Sequence, residues 1–207
     1  MSLASTVVSL QPSTFPPLAV GFMGLGTGYL IYGPQELFGY PKREPGVNLA
    51  TGVWGIWMPG FMQLFAGIYL FAGLALFGTF TAPPLYMAAL AFTAYGVHWF
   101  AIGWTRIKGT DVRVSLGMAF AFTLISILGM IVFYSPAAWD WPVATLFAGL
   151  TAIYISDFAA SLSPDKPEIG ALGMKALGAC HLITGLWLMY LMFAVVLKFT
   201  LNYDVFV

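Results

Sequence analysis

From Pro45 to Thr105 the chain reads PGVNLATGVWGIWMPGFMQLFAGIYLFAGLALFGTFTAPPLYMAALAFTAYGVHWFAIGWT, 61 residues without one Asp, Glu, Lys or Arg. A helix crosses about 30 Å of hydrocarbon with about 20 apolar residues, so this stretch is too long for one span and long enough for two. It breaks at Phe80-Thr-Ala-Pro-Pro84, where Pro83 and Pro84 remove two backbone donors. A prolyl pair is a poor helix interior and a good helix start. The run therefore predicts two transmembrane helices, over 50–77 and 83–105.

The rest of the chain follows the same rule. Charge-free runs cover 1–35, 114–139, 141–156 and 176–197, and charges gather between them. Six spans result: 17–35, 50–77, 83–105, 114–135, 142–162 and 172–199. Short alternating segments of the barrel kind are absent, so the expected fold is an all-α integral membrane protein, a bundle of six transmembrane helices. Residues 1–16 carry Pro12 and Pro16 but no Lys or Arg, which argues against a signal peptide and for an irregular surface segment.

Composition supports this reading. Of 207 residues, 60% are apolar and 8% charged, where a soluble domain carries about a quarter charged. The mean hydropathy is +0.87. Eight basic and eight acidic residues cannot cover a water-facing surface, and zero net charge leaves no basic stripe for nucleic acid. A single cysteine, Cys180, permits no internal disulfide.

Lys42, Arg43, Arg106, Lys108, Arg113, Lys166 and Lys175 all lie in or beside the loops after spans one, three and five. Only Lys198 lies on the other side. The positive-inside rule then places those loops in the cytoplasm and both termini outside. Trp139 and Trp141 beside Asp140 fit an aromatic belt on the outer side.

Within the spans, Gly24 and Gly28 form a GxxxG pair for close helix approach. A dinucleotide loop with similar letters would need a preceding strand, which is absent. Gly52, Ile56, Pro59 or Gly60, Gln63 and Gly67 fall near one face of span two. Glycines there serve packing. Gln63 needs hydrogen-bond partners in an apolar medium, either as helix-to-helix glue or on a solute path. Span three offers Thr93, Tyr95 and His98, the last two sharing a face. A tyrosine hydroxyl can meet a passing solute and a histidine can take up a proton near neutral pH, or both can be packing residues. Asp157 is an intramembrane acid near the cytoplasmic end of span five, a candidate proton or solute group. Glu36, Asp140 and Lys175 lie near span ends and read as interfacial. His98, His181 and Cys180 have no metal-ligand spacing. No catalytic motif is visible, and no cofactor or metal is implied.

Three stretches together resemble the acetate transporter family, the succinate–acetate/proton symporters. Pro16-Pro-Leu-Ala-Val-Gly21 and Phe22-Met-Gly-Leu-Gly26 match its glycine-rich first helix, without the Asn-Pro part of that motif. Met58-Pro-Gly-Phe-Met-Gln-Leu-Phe-Ala-Gly67 keeps the second Gly, the Gln and the Ala-Gly of its second-helix pattern. Phe92-Thr-Ala-Tyr-Gly-Val-His-Trp99 keeps six of eight positions of its third-helix pattern. Ala152-Ile-Tyr154 is a weaker match within 112–162. On this resemblance 17–162 forms a family-like bundle of five helices, and 163–207 adds a cytoplasmic loop and a further C-terminal transmembrane helix.

The resemblance implies a hexamer in a bacterial or archaeal inner membrane, with a pore in each subunit. It places Leu25 and Tyr95 at a narrow apolar constriction, with Leu124 as a third member. Such a gate passes a small acid best in its neutral form, because charge at mid-bilayer is costly. The expected function is a channel or proton-coupled transporter for small monocarboxylates such as acetate. Two alternatives remain: a urea or short-amide channel, which would also suit Gln63 and Tyr95, and a non-transporting subunit of a larger membrane complex. The aromatic residues of span six and the lost Asn-Pro motif favour the last.

Overall fold

The computed structural model describes residues 15–205. The irregular segment expected over 1–16 lies outside the described residues except at its last two positions, which already belong to the first helix. Six long helices follow in order: α1 (Phe15–Phe38), α2 (Pro45–Leu76), α3 (Pro84–Lys108), α4 (Ser115–Tyr134, entered by a 3₁₀ turn at Val112–Val114), α5 (Trp141–Ser161) and α6 (Pro167–Leu201). Each predicted span coincides with one helix.

Prolines set several of the boundaries. Pro45, Pro84, Pro142 and Pro167 sit in the first turns of α2, α3, α5 and α6, where the missing N–H has no helical partner to lose. The α2–α3 break predicted from Pro83-Pro84 is a turn in which Gly78 adopts a left-handed φ of 59°. The Thr79 and Phe80 N–H groups there donate to the Gly73 carbonyl at 2.8 and 3.2 Å. Within α2, Pro59 cannot donate, and the helix widens to a π turn over Ile56–Phe61. A second π turn, Ala72–Leu76, closes α2.

Among the described residues five helices are long and apolar enough to cross a membrane, and α1 is not one of them. The reason lies in its position. No residue of α1 from Pro17 to Leu37 is exposed, so it runs inside the bundle and needs no lipid-facing leucines. α1 packs on α6 most extensively and on α2 through both halves of that helix. The pairs α2–α3, α4–α5 and α5–α6 complete the wall.

Glycines set how closely these helices meet. A Cβ on Gly24 would stand 2.5 Å from the Met58 carbonyl oxygen, and one on Gly28 would stand 2.6 Å from the Pro59 ring. The GxxxG pair of α1 thus faces α2 in the same chain. On the other side of α1, Gly26 and Gly33 meet Leu188 and Leu182, and Gly178 of α6 meets the α1 backbone at Leu37. The small-residue face of α2 packs on α3, with Gly67 against Thr93 and Gly52 against Gly103. These glycine faces are therefore used within one subunit. The last helix packs along both α1 and α5.

Large apolar side chains cover the outside, among them Trp57, Phe61, Phe65 and Ile68 on α2 and Leu124 and Ile131 on α4. Apolar rings and branched chains facing outward on every wall helix are what a lipid solvent requires. The chain is an integral membrane protein with an all-helical bundle fold.

Candidate functional site

One stripe of α1 organises the interior. Leu25, Tyr29, Tyr32 and Glu36 recur at spacings of four, three and four, so they share a face, and all four are buried. On α3 a similar line carries Tyr95, His98, Trp99 and Arg106.

The middle of the bundle is filled by rings. Tyr95 and Tyr154 stack with centroids 5.7 Å apart, and Phe122 lies 5.4 Å from Tyr95 and 5.2 Å from Tyr154. His98 lies 4.8 Å from Phe122. The Ser126 hydroxyl donates to the Phe122 carbonyl at 2.8 Å. Its one proton is used there, so at 2.9 Å the Tyr95 hydroxyl is the donor to Ser126 Oγ. Tyr95 is thus tied to α4.

Beneath this layer a cavity of about 700 Å³ reaches from Tyr29, His98 and Tyr154 to the loops at Gly109–Asp111 and Ser163. It opens on the face that carries the Lys/Arg-rich loops. Asp157 lines it, without a hydrogen-bond partner among the described residues.

The polar floor of this vestibule is built on Glu36. Its side chain is 4% exposed, not interfacial as its place near a span end suggested. Glu36 Oε2 lies 2.5 Å from His181 Nδ1 of α6, while Oε1 lies 3.7 Å from Arg106 and 3.9 Å from Arg43. Arg106 donates to the Gln35 side-chain oxygen and lies 3.9 Å over the Tyr32 ring. Gln35 in turn donates to the Pro41 carbonyl at 3.1 Å, and Tyr32 to the Thr51 carbonyl at 3.0 Å. The His181 ring stacks on Tyr29 at 4.5 Å. Four elements, α1, α3, α6 and the α1–α2 loop, meet at one carboxylate.

At the mouth, Arg113 and Asp111 pair in water. The Arg113 side chain and backbone N–H donate to the Asp111 carboxylate and hold it down to about 2, well below the usual carboxylate range. On the opposite face Asp140 accepts from the Val143 N–H at 3.1 Å and caps α5. Partial burial pushes its carboxyl up.

The residues singled out in the sequence divide. Leu25, Tyr95 and His98 are buried in the bundle interior. Gln63 is 0% exposed, and neither its amide oxygen nor its nitrogen has a hydrogen-bond partner among the described residues. Thr93 lies in the α2–α3 seam with its hydroxyl on its own helix, donating to Ala89 O at 2.8 Å. Leu124 is 54% exposed on the outer face of α4 and does not join the interior rings. Phe122 and Ser126 are the α4 residues that reach Tyr95. The sequence reading also missed Glu36, His181 and Arg106 as a group. The signal available was the Leu25–Tyr29–Tyr32–Glu36 stripe, which points an acid into the same interior as two tyrosines.

The fold and the vestibule define a class: a helical membrane protein wrapped around a buried first helix, with a one-sided polar cavity ending at a layer of rings. No protein-family model matches the sequence, and no curated protein does. Among solved structures, the chain is similar to the bacterial acetate channel SatP, with a TM-score of 0.70 and 19% sequence identity over 92% of this chain and 97% of that one. At that identity the likeness is one of fold.

Proposed function

We propose that this chain is a divergent member of the acetate transporter family and forms a membrane channel or proton-coupled transporter for small monocarboxylates such as acetate. The observation that carries the reading is the vestibule, which rises from the basic loops and stops at the Tyr29–His98–Tyr154 layer in a fold shared with an acetate channel. Leu25 and Tyr95 form the constriction above it, joined by Phe122 and Tyr154 rather than by Leu124. His98 stands between vestibule and constriction. Gln63, with both ends of its amide unpaired, holds a hydrogen-bonding solute or water on the path. Thr93 supports the path through its seam with α2. Asp157 on the vestibule wall is a proton or solute group, and the constriction passes the undissociated acid at far lower cost than its anion.

The second reading, a non-transporting subunit, draws support from the same ring layer. The interior is closed there, and the Tyr95 hydroxyl is engaged by Ser126. Flux decides between them. Tyr95→Phe keeps the ring and loses one neutral hydrogen bond, which costs about 0.5–1.5 kcal/mol of stability. Gln63→Leu removes a buried amide without partners. Under the transport reading both variants fold and change radiolabelled acetate flux. Unaltered flux in both, with the proteins folded, removes the pathway assignment and favours the subunit.

The vestibule faces the cytoplasm of a bacterial or archaeal cell and both termini lie outside, in keeping with the seven-to-one division of Lys and Arg. Cysteines at Lys108 and Thr110 are expected to react with impermeant reagents only from the cytoplasmic side. Labelling from outside would reverse the topology. The chain assembles as a homo-oligomer, a hexamer by the resemblance.

A further inference from the structure

Glu36 sits in a set of donors that would suit any small carboxylate. Arg106, Arg43 and His181 converge on it from three different elements. Two of the three do not hold it tightly: the guanidinium nitrogens stand off at 3.7 and 3.9 Å, beyond hydrogen-bond distance. A guanidinium has five N–H donors. Among the described residues Arg106 uses its donors on Gln35 alone, and Arg43 on the Met174 sulfur at 3.6 Å. Both arginines, His181 and Glu36 line the vestibule that a solute would enter. The receptor is therefore open to the cavity, under-used by its resident carboxylate, and built of buried or half-buried groups.

We propose that Arg43, Arg106 and His181 form a binding site for a small carboxylate anion, and that Glu36 is its built-in competitor, displaced when the anion arrives with one proton. This rests on the reading that small monocarboxylates enter the vestibule, and it adds where they bind and what binds with them.

The charge balance leads to the proton. The groups facing the site are Glu36, Tyr29 and Tyr32 from α1, Arg43 from the α1–α2 loop, Arg106 and His98 from α3, Asp157 from α5 and His181 from α6, with Asp111 at the mouth. Arg106 and the half-exposed Arg43 offset Glu36 and Asp157, so the site is neutral with the imidazoles uncharged. A further anion would leave an uncompensated charge in a desolvated site, which is strongly unfavourable. Protonation of Glu36 removes that excess. One O–H bond forms on Glu36, its proton comes from the aqueous vestibule, and the incoming carboxylate takes the place of Glu36 on Arg106 and Arg43. The neutral Glu36 acid also releases the His181 Nδ1–H, which then donates to the incoming carboxylate. The sign follows from the proton taken up: falling pH tightens anion binding and rising pH weakens it.

Acetate is the probe, titrated calorimetrically into the purified full-length protein in mild detergent between pH 5 and 8, in buffers of different ionisation enthalpy. The wild type is expected to take up about one proton per acetate bound. Glu36→Gln is expected to bind acetate at least about tenfold more tightly at pH 7, with no proton uptake and a flat pH profile. His181→Gln should still take up a proton. Arg43→Gln, at a half-exposed position that tolerates change, should weaken binding several-fold, and this arm stands if Glu36→Gln fails to fold. Binding without proton uptake, Glu36→Gln no tighter than wild type, proton uptake lost only in His181→Gln, or Arg43→Gln unchanged would each overturn the proposal. Acetate binding with proton uptake but without flux in vesicles would keep this site and remove the channel reading. Flux with an unaltered pH profile in Glu36→Gln would do the reverse.

Discussion

Gly24→Leu is expected to yield no folded protein. A Cβ at this position stands 2.5 Å from the Met58 carbonyl oxygen and 2.6 Å from Met62 Cβ, and leucine adds three more carbons beyond it. Both obstacles belong to the α2 main chain or lie one bond from it, so no rotamer change relieves the clash. Overpacking a core that can adjust costs about 1–3 kcal/mol. Here α1 would have to leave α2, and α1 is also the helix on which α6 packs. Small residues at such crossings are what let membrane helices associate without a hydrophobic driving force between them. Gly117→Leu is the control, since nothing lies within 4 Å of a Cβ there. Size-exclusion profile and thermal unfolding in mild detergent read the result. A folded Gly24→Leu protein with an unchanged midpoint would contradict the α1–α2 seam.

Arg106→Met is the second large effect. It removes the cation over Tyr32, the donor to Gln35 and one of the charges that face Glu36. Removing one member of a buried ionic group costs about 3–5 kcal/mol, because the partner stays buried without compensation. Arg43 is the only other arginine within 4 Å of Glu36 and is itself partly exposed, so the lower half of that range is expected. Glu36→Gln in the same chain should restore most of the loss, since a neutral amide needs no counter-charge. Thermal midpoints of the two single variants and the double variant form the cycle. Additive losses would show that the two side chains do not interact.

The helices were legible because charge and proline placement follow directly from the bilayer. A charge-free run of 61 residues with Pro83-Pro84 inside it admits one division into spans, and the break between α2 and α3 falls within one residue of that division. The depth of α1 was not legible. The glycine-rich first span reads as one more membrane helix, whereas none of its residues from Pro17 to Leu37 is exposed. Leu25 and Tyr95 were placed inside by motif and lie inside. Leu124 was placed by a weak match two positions from Phe122 and Ser126, and on a helix of 100° per residue two positions is the opposite face. The Glu36 cluster was missed for a different reason. Glu36 and His181 are 145 residues apart and Arg106 is 70 from Glu36, so no local pattern joins them. An acid in the last turn of a span looks interfacial until the fold puts a loop arginine and two other helices around it.

Uptake of radiolabelled acetate by proteoliposomes, run beside radiolabelled urea, tests the central claim. The account predicts saturable acetate uptake above that of protein-free vesicles, faster when the entry side is acidic, and no more urea entry than in protein-free vesicles. Folded protein that admits no acetate, or that admits urea and not acetate, would contradict it.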